Sequence, residues 1–247
     1  MLRSEAVSRR AATPRLRRFL AGLGLALAGC EGGDVTTGGY DLARFFPERE
    51  SWFWKYDNAA REDEISYWHS VGETIPDGAA EPLWTFRHWV DVEQTIVDDF
   101  ADGESDWALE TYWARRDKGW HWMGWQAGAS GNRPELGGEI FSGEGVPFAM
   151  EGVTNGRQWS VSVNERQWTS RVSLVDGALT VHEQTIEDAW LLELNSDSGD
   201  TPLEGLFWLA LGPGVVQWDA AAFRPESGEA WTHLHNDTDD NILGQTR

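Results

Sequence analysis

The tightest constraint on this chain is a recurring alternation of large rings. Trp52, Trp54 and Tyr56 alternate with Phe53 and Lys55, and Trp84, Phe86, His88, Val90 and Val92 alternate with Thr85, Arg87, Trp89 and Asp91. Trp159, Val161 and Val163 alternate with Ser160, Ser162 and Asn164; Trp168, Val172 and Leu174 alternate with Gln167, Thr169, Arg171 and Ser173. Successive side chains of a strand point to opposite faces, so this period of two describes strands with one face buried and one wetter, as in antiparallel sheets. No stretch after residue 30 carries a long amphipathic helical period. The fold class is therefore read as all-β.

Turn signals cut the chain into short runs. Asp176-Gly177 lies between Val172-Ser173-Leu174 and Leu179-Thr180-Val181 and predicts a hairpin there. Asn155-Gly156 precedes the Trp159 run, and Asp117-Lys118-Gly119 divides Tyr112-Trp113-Ala114 from Trp120-His121-Trp122. Ten or more strands result, most of them joined as hairpins. Looser stretches are read at 72–81, 98–106, 128–138 and 196–202. Tyr40 to Pro47 opens the folded part, with one turn of helix before Pro47.

The N-terminus follows another logic. Arg3, Arg9, Arg10, Arg15, Arg17 and Arg18 face only Glu5, and the apolar run from Phe19 to Ala26 then leads into Leu27-Ala28-Gly29-Cys30. A basic segment, an apolar segment and small residues before a cut site make an export signal. The apolar run is about half of the roughly 20 residues a spanning helix needs. Cys30 is the only cysteine, so no internal disulfide supports the fold. Leu-Ala-Gly-Cys resembles the lipobox of bacterial lipoproteins. That resemblance implies cleavage after Gly29 and lipid attachment to Cys30, with Glu31 rather than aspartate next to it favouring the outer membrane. Residues 1–29 are read as the lipoprotein signal peptide and 30–39, with its glycines and threonines, as a flexible tether.

Charge limits the partners. The chain has 20 basic and 41 acidic residues; removing 1–29, with six Arg and one Glu, leaves 14 against 40, near −26. So acidic a body is not built for nucleic acid or for anionic head groups, and its link to the membrane is the lipid anchor. Sixteen tryptophans against four tyrosines supply a sizeable core, where a disordered acidic chain lacks aromatics.

From Tyr40 to Trp218 the chain also resembles a set of uncharacterised exported bacterial lipoproteins. Phe45-Phe46-Pro47 with the Trp-x-Trp-x-Tyr strand looks like their opening, and 112–120 looks like their tyrosine strand with an Asp-x-Gly turn. Gly152 to Trp159 looks like their second Gly-x-x-Trp strand, and 206–217 looks like their closing Pro-Gly hairpin. The chain departs from that pattern at Glu48-Arg49-Glu50, where a glycine is missing, and at Gly212-Pro213-Gly214. The resemblance implies a curved antiparallel sheet or half-open β-barrel over 40–218, with no assigned activity. Residues 219–247 lie beyond it as a C-terminal extension, in which 229–234 is read as an edge strand and 235–241 as a frayed polar tail.

Candidate chemistry is sparse. Trp68-His69, His88-Trp89 and His121-Trp122 set a histidine beside a tryptophan on three strands. If those strands are neighbours, Trp68, His88, Trp89, His121 and Trp122 line a site for a glycan or an apolar ligand; otherwise the indoles fill a core with histidines at its rim. His233, His235 and Asp237 have zinc-type donors, and 237–241 and 195–200 are rich in oxygen ligands, but neither zinc nor calcium spacing is met. Gly128-Ala129-Ser130-Gly131-Asn132 falls short of a nucleophile elbow. A glycosidase pair such as Glu110 with another carboxylate can be imagined, but the sequence selects none from the 40 acids of residues 30–247. No cofactor is called for. The chain reads as a non-catalytic binding or assembly module, with glycan, lipid or protein partners in the envelope.

Overall fold

The structure is a computed structural model that describes residues 39–46, 48, 50, 52–58, 61–92, 107–128, 134–181, 184–199, 201–211, 214–220, 233–235 and 245–246. The chain divides into Met1–Val35 and Thr36–Arg247, and every described residue belongs to the second unit. The expected signal peptide, Cys30, the tether up to Gly38, the 98–106 stretch and the 236–241 tail lie outside the described residues.

Among the described residues the regular elements are sixteen strands and two 3-10 turns. In order they are β1 (Trp52–Asn58), β2 (Arg61–Thr74), β3 (Leu83–Val92), β4 (Leu109–Arg116), β5 (Gly119–Ala127), β6 (Gly138–Ile140), β7 (Val146–Met150) and β8 (Gln158–Val163). There follow β9 (Arg166–Leu174), β10 (Leu179–Val181), β11 (Gln184–Ile186), β12 (Trp190–Ser196), β13 (Gly205–Ala210), β14 (Gly214–Ala220), β15 (His233–His235) and β16 (Gln245–Thr246). A nine-stranded antiparallel sheet runs β15-β1-β2-β3-β4-β5-β6, with β16 also on β1 and β7 also on β5, and it curls strongly into a half-barrel. A five-stranded sheet runs β14-β13-β12-β9-β8, and β10 pairs with β11 alone. The all-β class and the curved, half-open sheet are thus as the sequence led us to expect.

The two sheets share one aromatic core. Trp54, Trp68, Phe86, Trp113 and Trp122 fill the inner face of the curled sheet, and Trp168, Val172, Leu192, Phe207 and Trp218 fill that of the second. Trp168 stands edge-on to Trp122 at 5.1 Å and 90°, and the Tyr56 hydroxyl donates to the Val215 carbonyl at 3.0 Å, joining the sheets. Leu42–Phe45 forms the expected single turn, a 3-10 turn capped by the Asp41 carboxylate, which accepts from the Ala43 amide at 3.1 Å. It delivers Phe46 onto Trp120, stacked at 4.2 Å.

Local sequence accounts for several joints. Asp117-Lys118 closes the β4–β5 hairpin with Arg116 opposite Gly119, whose φ of +139° no other residue type adopts cheaply. Gly124 lets β6 approach: a Cβ there would lie 2.1 Å from the Glu139 carbonyl.

Three expectations need correction. Asp176-Gly177 does not join a β9–β10 hairpin, because β9 pairs with β12 and β8, and β10 pairs with β11. Trp190, Leu192 and Leu194 of β12 are all buried opposite Leu174, Val172 and Ser170, so β12 offers β9 a longer apolar face than the three residues of β10. β14 of the five-stranded sheet runs past Trp218 to Ala220, and the C-terminal edge strand of the nine-stranded sheet is His233–His235, so His235 belongs to that sheet rather than to the tail.

Candidate functional site

The paired Trp and His residues divide between two faces. Trp68 on β2 and His88 on β3 are registered neighbours on the inner face, their rings 4.6 Å apart, and both are buried. The His88 Nε2 lies 2.7 Å from the Thr111 hydroxyl, and burial pushes its pKa down to about 3. Trp122 is on the same face two strands away, packed against Trp125, Phe141 and Trp168. Trp89 and His121 point to the opposite face. Trp89 meets His69 at 6.2 Å and Trp107 at 6.5 Å, and burial lowers the His121 pKa. The five residues do not line one pocket, since adjacent strand positions face opposite ways.

The tryptophans are mostly interior. Of the fourteen whose surroundings are described, Trp54, Trp68, Trp89, Trp113, Trp120, Trp122, Trp125, Trp168, Trp190 and Trp218 are buried, and Trp84, Trp107, Trp159 and Trp208 are half-buried. None of these is fully exposed.

What strand register does assemble is a polar row on the outer face. His69 lies opposite Arg87, Arg87 opposite Glu110, and Glu110 opposite Gln126, on four consecutive strands. The Arg87 Nε donates to Glu110 Oε1 at 2.8 Å, and the guanidinium carbon sits 3.9 Å from the Trp107 ring centroid. The Tyr112 hydroxyl donates to Glu110 Oε2 at 2.9 Å, with a longer approach to Gln126 Oε1 at 3.4 Å. Burial, and next the Glu110 charge, hold the Tyr112 phenol well above its ordinary range. Burial and then Arg87 hold His69 down to about 4. The row ends at an open cleft of about 500 Å³ lined by Asp77, Trp125, Gln126, Gly138, Glu139 and Ile140, among others.

Glu110 is therefore an anchored acceptor, with one carboxylate oxygen on Arg87 and the other on Tyr112. The sequence offered Glu110 only as one acid among many; alternation sets Arg87 on the face opposite Phe86 and His88, and its meeting with Glu110 depends on register. Among the described residues, no group of three or more His, Cys, Asp or Glu side chains is placed to hold a metal ion. Asn195 to Gly199, one of the oxygen-rich stretches, turns on its own serines: Ser198 and Gly199 amides donate to the Ser196 hydroxyl.

Fold and site together define a class: an all-β protein built on an antiparallel half-barrel packed with indoles, carrying a polar ladder on its outer face. Set against known proteins, the chain matches no family model, no curated protein and no solved structure.

Proposed function

We propose that this chain is a lipid-anchored protein of the bacterial cell envelope, acylated on Cys30 and held at the outer membrane, whose β body is a non-catalytic binding or assembly module. The observation that carries this reading is Leu27-Ala28-Gly29-Cys30 behind an arginine-rich and then an apolar segment, in a chain with no other cysteine. The charge of the processed body, 14 basic against 40 acidic residues, supports it, because an acidic body has no attraction of its own for anionic lipid and is tethered instead by acyl chains. The buried indoles support recognition through the surface, by the outer polar row, its cleft and the sheet edges, over recognition in a tryptophan-lined hollow. Glycan, lipid and protein partners in the envelope all fit such a surface; nucleic acid does not.

Cells expressing the parent and Cys30→Ser chains are labelled with radioactive palmitate and fractionated. The parent takes up label and goes to the membrane pellet at the processed size. Cys30→Ser takes up none and keeps its N-terminal segment. An unlabelled, unprocessed parent in the cytosol would overturn the assignment.

A further inference from the structure

The second sheet ends on an unguarded edge. Among the described residues β8 pairs only with β9, and its six residues, Gln-Trp-Ser-Val-Ser-Val, include no charge and no proline. Natural edge strands are usually blunted by lysine, proline, a bulge or a covering segment. The β14 edge of the same sheet is largely buried, whereas along β8 Gln158, Ser160 and Ser162 are exposed and Trp159 and Val161 are half-buried.

The hydrogen-bond phase of this edge follows from the ladder. The Val172 amide donates to the Arg157 carbonyl at 2.9 Å, so position 157 bonds toward β9. By alternation 159, 161 and 163 do the same, and the backbone groups of Gln158, Ser160 and Ser162 point away from β9. Among the described residues none of these three has a backbone partner on the far side.

We propose that β8 is a self-association edge, pairing antiparallel with β8 of a second copy about a two-fold axis at Val161. In that register Ser160 lies opposite Ser162 of the other copy, Trp159 opposite its Val163, and Val161 opposite itself. The ends decide the choice of occupant. Arg157 and Glu165 are both exposed and flank β8 at opposite ends, so two-fold pairing sets Arg157 of each copy against Glu165 of the other. Two copies that each carry −21 repel at long range, and this strand is an uncharged stretch with a basic residue before it and an acidic one after it. Pairing also covers the half-buried Trp159 and Val161 and joins two five-stranded sheets into one of ten. An isologous contact of this kind closes at two copies. The inference rests on the β body alone and stands whether or not Cys30 is acylated.

Cysteine cross-linking and light scattering on the full chain test it. In a non-hydrogen-bonded antiparallel pair the Cα atoms lie about 4.5 Å apart, within disulfide range. Val161→Cys therefore oxidises to a covalent dimer, while Ser160→Cys, offset from its own copy, and the parent with Cys30 alone do so at least several-fold less. Arg157→Glu weakens the dimer several-fold, Glu165→Arg does likewise, and the double swap restores it. The Ser160→Pro variant, whose lost amide does not belong to the β8–β9 ladder, is a folded monomer by circular dichroism and scattering. A parent that stays monomeric up to its solubility limit, equal cross-linking at 160 and 161, or charge swaps without effect would each overturn the proposal.

Discussion

At the scale of single residues, the consequences follow from how completely the rings are enclosed. Trp168 is fully buried and stands against both Trp122 and Phe141, bridging the two sheets. Trp168→Ala removes a fully buried indole packed between the rings of Trp122 and Phe141, and costs about 3–5 kcal/mol in urea unfolding. His88 brings a pH dependence. Its pKa is about 3 in the folded chain against an ordinary 6.5, so the unfolded chain takes up a proton that the folded chain refuses. Stability is complete above about pH 6.5 and falls as pH drops from there towards 3, by up to about 1.4 kcal/mol per pH unit. His69, held down to about 4, pulls the same way. His88→Gln flattens the slope of urea midpoint against pH in this window, even where it lowers the midpoint at neutral pH; an unchanged slope would remove His88 from the account.

At the scale of elements, the β8–β9 hairpin shows how a turn is held from both inside and outside. Asn164 and Glu165 have φ of 47° and 66°, the left-handed pair that a two-residue hairpin requires and that asparagine tolerates better than most. The Asn164 side chain then clamps the turn to the first sheet. Its oxygen accepts from the Ser142 amide at 3.2 Å and hydroxyl at 2.9 Å, and its nitrogen donates to Glu139 at 2.8 Å and to the Ile140 carbonyl at 3.0 Å. Glu139 also pairs with Arg166, the first residue of β9. Asn164→Ala loses both the clamp and the tolerance for positive φ and destabilises by about 1–3 kcal/mol. Asn164→Gly keeps the backbone geometry and recovers about 1 kcal/mol of that. Urea unfolding of the pair separates the two contributions; equal losses would show that the backbone conformation contributes nothing.

At the scale of the whole molecule, the ten buried and four half-buried tryptophans set a spectroscopic signature. Native emission is blue-shifted and weakly quenched by iodide, and unfolding moves it to the red and opens it to quencher. On the proposed reading, with recognition on the polar outer face and the sheet edges, adding envelope glycans or fatty acids leaves the native spectrum in place. A native spectrum like that of indole in water would contradict the core described here, and a ligand-induced shift would return recognition to the indoles.

The strand class was legible in the sequence because a period of two is a local property: Trp159, Val161 and Val163 share a face whatever they pack against. The 3-10 turn before Pro47 and the Asp117-Lys118 hairpin were legible for the same reason, since a cap and a turn need only their immediate neighbours. Pairing partners were not. Asp176-Gly177 carries a hairpin signal, yet β9 takes β12, because the apolar face of Trp190, Leu192 and Leu194 lies sixteen or more residues further on and outweighs the local turn. The polar row of His69, Arg87, Glu110 and Gln126 has no sequence motif at all, since its members come from four strands and meet only through register. Sequence alone determined which residues share a face along the alternating runs of β1, β3, β8 and β9. Only the tertiary structure decided which strands would be neighbours, because that choice is made by long-range burial of whole faces rather than by anything a few consecutive residues encode.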